Sequence, residues 1–403
     1  MPYILKQPEA DSPGIITFTQ NEALRGVAAP GGRVAPHLTE ATRRGEWLFG
    51  VHIQGDMSST RAWPREAWQA FFMWPDPSAQ FLSNIPGEDV IPLNCVNFIP
   101  SGEPRAEAST RRFDLCVVSR PSPIKRIRET LLTIKALMSR RPELETLLVV
   151  PDPRLFDRGE ESYELLGLDR AFFELPKRLF TSEELTRVSF ICSSQPSFGT
   201  FPLSERLIRE LYEQSKFVLL TSHSEGTPRV VAEALIAGTP CIVSKNLRSG
   251  ILHYLDDSNA LRIADEPETA AAEIDEALSA LGRFHVDRTK MRIAFSAEHN
   301  RQPLLNYFAA LFARRGKPVQ GRWFLDDLHL RLACHGRKHN YQFMSNEVLF
   351  FEWLGKVRNM DDYDEDALFG SEPLEDLIAQ PWEARRSGWL RESMRSVSRL
   401  WRS

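Results

Sequence analysis

Glu225 and Glu233 enclose the most informative segment of the chain, FVLLTSHSEGTPRVVAEALIAGTPCIVS, which runs from Phe217 to Ser244. An apolar run reads as a strand, ends in the polar loop Thr221 to Thr227, and opens directly into the amphipathic stretch Arg229 to Ala237. The unbonded N–H groups at such a helix start, with the helix dipole behind them, favour an anion, and Gly226 allows a phosphate to come close. A loop leaving the carboxyl end of a parallel strand is also where α/β sheets bind ligands. Two carboxylates beside an anion site make sense when they accept hydrogen bonds from hydroxyls. A ligand with sugars on both sides of a phosphate group satisfies both demands, as a sugar nucleotide does.

A second constellation follows the first strand of the same region. Arg120 and Lys125 lie five residues apart in the proline-stiffened loop Ser119-Arg-Pro-Ser-Pro-Ile-Lys125, so both can face the same sheet edge. Two such cations neutralise a departing diphosphate where no metal does so. The Asp-x-Asp matches, at Asp362 to Asp366, fall in an acidic run and not at a strand end, so metal-independent chemistry is expected.

These residues need a parallel sheet to position them. Short apolar runs at 113–118, 146–150, 188–192, 217–220, 241–243 and 260–263 alternate with helical spacing at 126–140, 203–214, 229–237 and 268–281, the sign of a parallel α/β sheet. Gly238 suits the left-handed position just past a helix. Before it, 15–18 and 47–53 read as strands and 65–72 as a short aromatic helix. The loop 100–104 reads as a boundary. The expected division is a lobe over 1–104, a donor-binding lobe over 105–316, and a mainly helical extension over 317–403.

With these pieces in order, residues from about 90 to 281 resemble the nucleotide-sugar half of a GT-B glycosyltransferase, in particular the retaining GT4 family. The family's E-x7-E is matched by Glu225 and Glu233, followed by E-A-L-x-x-G-x-P ending at Pro240. Its G-R-x4-K-G is matched in part by Ser119, Arg120, Lys125 and Arg126, with serine and arginine in place of the two glycines. Val90 to Phe98 is similar to the interdomain V-I-P-N-G-V-D, without its glycine and aspartate.

The resemblance implies two Rossmann-like α/β lobes, the first abridged to about 100 residues. It also implies roles: Arg120 and Lys125 on the diphosphate, Glu233 on the ribose and Glu225 on the donor sugar. Gly226, Thr227 and Val230 would touch sugar and phosphate, and the Ile191 to Ser194 region, with Ser193, would receive the base. His52 is the best-placed histidine for the donor sugar, with His37 a weaker one. The donor would be a UDP- or GDP-linked sugar with no further cofactor, and the acceptor a saccharide or lipid-linked glycan. In this family the acceptor attacks from the leaving-group side, so no protein nucleophile is required. A non-catalytic sugar-nucleotide binder or scaffold is a rival reading, and an epimerase or phosphorylase on the same fold a third.

Composition restricts the remaining classes. With 42% hydrophobic residues and 50 basic against 54 acidic side chains, the 403-residue chain is an ordinary globular one, without the cationic excess of a nucleic-acid binder. Five scattered cysteines without C-x-x-C suggest neither disulfide framework nor zinc ribbon. No apolar run reaches the length of a membrane span, and the opening residues lack a leader pattern, so a cytoplasmic setting is expected. The segment 381–403 carries six arginines against two glutamates, with Trp389, Leu390, Met394, Val397, Leu400 and Trp401 on one helical face. That pattern allows peripheral contact with an anionic membrane or docking against the protein itself.

Overall fold

A computed structural model describes residues 3–325, apart from 25–27, 29, 33, 54–56, 58–59, 76–78, 101–110, 120–122, 152–174 and 194–204. The acidic run, the basic segment 381–403, Cys334 and nearly all of the expected helical extension lie outside the described residues.

The first sheet has the order β1-β2-β3-β4-β5, from Tyr3–Lys6, Gly14–Thr19, Trp47–His52, Gln69–Met73 and Val90–Ile91. β1 is antiparallel to β2, and every later pair is parallel. Both faces are buried, and successive side chains alternate between them. Ile16, Phe18, Phe49, Val51 and Phe72 face a core shared with Leu38, Trp63 and Trp68, whereas Leu5, Ile15, Leu48, Phe71 and Met73 face another. The expected helix at 65–72 is corrected: its second half is strand β4. Phe71 and Phe72 are apolar on opposite faces, which hides the alternation that would have marked a strand. Gly50 in β3 leaves room for this packing, since a Cβ there would stand 2.2 Å from the Phe71 ring.

The second sheet is parallel throughout, with β6 (Phe113–Val118), β7 (Thr146–Pro151), β8 (Val188–Ser193), β9 (Ser215–Leu220), β10 (Cys241–Ser244) and β11 (Ala260–Ile263) in the order β11-β10-β9-β6-β7-β8. Helices Ile127–Arg140 and Pro267–Ser279 cover one face, and Glu205–Glu213, Arg229–Ala237 and Arg288–Phe295 the other. The strands and helices expected between residues 113 and 281 stand within a few residues of their predicted bounds. Gly238 ends Arg229–Ala237 at φ +85°, the left-handed conformation expected of it. Cys95, Cys116 and Cys241 are buried free thiols, and burial pushes the Cys116 thiol up to about 12.

The chain passes between the lobes twice, side by side. Ile99 N–H donates to Phe295 O at 2.9 Å, Ala297 N–H to Ile99 O at 3.2 Å, and Asn97 Nδ2 to Ala294 O at 2.8 Å. Helix Ala297–Arg314, grouped with the donor lobe in the sequence division, packs Leu304, Phe308, Leu311 and Phe312 on the first sheet. Phe308 meets Phe71 edge to face at 5.0 Å between ring centres.

Candidate donor site

The site residues gather at the carboxyl edge of the second sheet. After β6 the chain turns through Pro123–Lys125 into helix Ile127–Arg140, and after β9 through 221–228 into helix Arg229–Ala237. Threonines lock the two loops together. The Thr130 and Thr221 hydroxyls are 2.7 Å apart, and Thr221 Oγ1 lies 3.3 and 3.2 Å from the Lys125 and Arg126 carbonyls. This brings Lys125 Nζ to 2.5 Å from Glu225 Oε1, with both side chains largely shielded.

The Glu225 loop is fixed from behind by residues 248–250. Glu225 N–H donates to Arg248 O, Arg248 N–H to His223 O, and the Gly226 carbonyl accepts from Gly250 N–H and Ser249 Oγ. Gly226 is therefore buried, and Gly250 sits against Thr227, Gly226 O and the Trp74 ring of the other lobe. Thr227 Oγ1 accepts from Asn94 Nδ2 at 2.8 Å, and Asn94, fully buried, also caps the turn Cys95–Asn97. Thr227 thus carries an interlobe hydrogen bond. Val230 is half-buried in the first turn of Arg229–Ala237, whose start no side chain caps.

Glu233 is held at both oxygens: Oε1 accepts from Arg229 Nε at 2.9 Å and Oε2 from the Tyr212 hydroxyl at 3.1 Å. Burial, then the charge of Glu233, pushes the Tyr212 phenol well above its usual value, so it stays a donor. Tyr212 was not singled out in the sequence, where it reads only as an apolar position of helix Glu205–Glu213.

A second cluster also escaped sequence reading. Arg126 has φ +49°, and stands where the motif it partly matches has glycine. Its guanidinium bonds Asp265 Oδ1 at 2.7 Å and touches His223 Nε2. His223 Nε2 and Ser244 Oγ also lie 2.8 Å from Asp265 Oδ1, while Asn246 Nδ2 bonds Oδ2. Burial opposes the Asp265 charge, but the hydrogen bonds from His223, Asn246, Ser244 and Arg126 outweigh it and hold the carboxyl well below the usual range. The missing glycine before helix Ile127–Arg140 was the one sequence signal for this cluster.

The other predicted residues are placed as follows. Ile191 is buried in β8 and Ser193 ends that strand, while Arg120 lies outside the described residues. His52 is buried at the end of β3, its Nδ1 3.3 Å from Thr17 Oγ1 and its ring edge-on to Tyr3 at 4.4 Å, the surroundings of a core histidine. His37 is half-buried on helix Ala35–Arg43. Among the described residues no group of three or more His, Cys, Asp or Glu could hold a metal ion, and no helix is long and apolar enough to cross a membrane.

The architecture is thus a mixed α/β protein with two largely parallel sheets and a cation–carboxylate cluster at one sheet edge, facing the other lobe. Residues 199–284 match the family model described as Glycosyl transferases group 1, a stretch that includes Glu225 and Glu233, on which the resemblance rested. Among solved structures the chain is similar to TarM of S. aureus, at 15% identity over 70% of this chain and 54% of that one, with a TM-score of 0.46. It is also similar to the pneumococcal O-GlcNAc transferase GtfA, at 12% identity over 70% and 55%, with a TM-score of 0.47. A third similarity is to HepE of Anabaena, at 15% identity over 68% and 74%, with a TM-score of 0.48. The chain spans about half the length of the TarM and GtfA chains. No curated protein matches it.

Proposed function

We propose that the protein transfers a sugar from a nucleotide diphosphate donor to a glycan or glycoconjugate acceptor, with retention at the anomeric carbon and without a metal, in the manner of GT4 enzymes. The observation that carries this reading is the meeting of Lys125 with Glu225 at the edge of the second sheet, Glu225 lying with Glu233 inside the matched segment. Lys125, with Arg120, neutralises the diphosphate as it departs. Glu225 binds hydroxyls of the donor sugar, and Glu233 the ribose. The acceptor hydroxyl loses its proton to the donor phosphate. The structures named above include TarM and GtfA with UDP bound and HepE with UDP and glucose, which favours testing UDP first. The acceptor is a saccharide or a lipid-linked glycan, met in the cytoplasm or at the inner face of a membrane through the basic segment 381–403.

The rival reading, a sugar-nucleotide binder without turnover, is favoured by one observation: Arg126 fills the place of a motif glycine and pairs with Asp265. The test is calorimetric titration with UDP, GDP and ADP in the absence of divalent metal, in parallel with Glu233→Ala, followed by a donor-hydrolysis assay. Micromolar binding of one nucleotide, weakened in the variant, supports the donor site. Turnover of the matching sugar nucleotide separates the enzyme from the binder, and no binding of any nucleotide overturns both readings.

A further inference from the structure

We infer that Tyr212 and Arg229 are the positioning residues that make Glu233 a reader of a vicinal diol, and so set a preference for ribonucleoside over deoxyribonucleoside diphosphates; the inference rests on the donor-site reading above. A carboxylate offers about four acceptor positions, two on each oxygen. The protein uses one on Oε1, through Arg229 Nε, and one on Oε2, through the Tyr212 hydroxyl. One position is left on each oxygen, the number that two adjacent hydroxyls require. A carboxylate held by only one partner would be free to rotate about its last bond and would present no fixed pair.

The two donors come from different places, which makes the arrangement more than a helix-surface ion pair. Arg229 precedes Glu233 by one turn on the same helix, a spacing that alone contributes little. Tyr212 reaches in from helix Glu205–Glu213, with its ring fully buried and a Cys116 and Cys241 flank that lacks strong acceptors. Burying a phenol requires a partner for its hydroxyl, and here that partner is Glu233. The Glu233 side chain keeps about a fifth of its surface open, which leaves it within reach of a ligand.

The test compares binding of UDP, GDP and ADP with that of dUDP, dGDP and dADP to the full chain by calorimetry, for wild type, Tyr212→Phe and Arg229→Met, with urea midpoints recorded for each. Wild type is expected to favour the ribose form by about ten- to a hundredfold, the worth of a hydrogen bond to a charged group. Tyr212→Phe is expected to reduce that ratio to about threefold by weakening the ribose form alone, and Arg229→Met to act likewise. A ratio unchanged in both folded variants overturns the inference while leaving the donor site intact. Wild-type binding without ribose preference overturns both the role of Glu233 and this inference. Should Tyr212→Phe not fold, Arg229→Met decides alone. No binding of any nucleotide overturns the donor-site reading itself, and this inference with it.

Discussion

Lys125 and Glu225 are a hundred residues apart in sequence and 2.5 Å apart in space, each the other's counter-ion at the edge of the second sheet. A partly desolvated pair of this kind gives up its mutual attraction when a ligand arrives, and each member needs a replacement. In the proposed function a diphosphate oxygen would replace Glu225 for Lys125, and sugar hydroxyls would replace Lys125 for Glu225. Glu225→Gln removes the competing charge while keeping the shape. Nucleoside diphosphate affinity is expected to stay within about threefold of wild type or to improve, while turnover falls by about a hundredfold. Calorimetry beside a steady-state assay checks it, and loss of nucleotide binding equal to the loss of turnover would count against the assignment.

Glu233→Ala removes a charged acceptor and leaves the Tyr212 hydroxyl without its partner. Nucleoside diphosphate binding is expected to weaken by about 1.5–3 kcal/mol. Titration of both proteins with the same nucleotide measures it.

Arg126 sits at φ +49°, where an L-residue bears a backbone cost of about 1–2 kcal/mol that glycine avoids. Arg126→Ala keeps that cost and loses the bond to Asp265, so it is expected to destabilise the second lobe. Arg126→Gly loses the same bond but relieves the backbone, and is expected to be about 1 kcal/mol more stable than Arg126→Ala. Urea unfolding of the two variants, compared at equal slope, reads the difference, and equal midpoints would contradict it.

Asp265 is held below the usual carboxylate range in the folded chain, so its charge favours the native state above the unfolded value near 3.8. That contribution is lost as pH falls from about 4 through the lower folded value. Asp265→Asn is expected to be less stable at neutral pH and to lose less of its stability on acidification below about 4. Unfolding midpoints recorded between pH 3 and 7 test the sign.

The second lobe was legible because each of its strands is a short apolar run separated from the next by a helix with a visible period. Arg229–Ala237 and its glycine stop were readable to the residue. The first lobe was less so, since in β4 apolar side chains such as Phe71 and Phe72 occupy both faces and leave no alternation to read. At the site, Glu225, Glu233 and Lys125 stood in recognisable spacing. Tyr212 and Asp265 did not, because each acts on a partner twenty or more residues away, and only the fold brings them together. His52 stands at the end of β3, beside Thr17 and Tyr3, a setting that its place in the sequence alone could not show.

The return of helix Ala297–Arg314 to the first sheet sets an order of events during synthesis. The face formed by Leu5, Leu48, Phe71 and Met73 is complete once β5 has emerged, but its cover is made about 200 residues later. Through that interval a row of large apolar side chains stands open to water, so the amino-terminal half of a nascent chain is the stretch most in need of a chaperone. A chain stopped before residue 297 would carry the whole of the matched segment 199–284 beside a first sheet bare on one side, and would be expected to precipitate through its amino-terminal lobe.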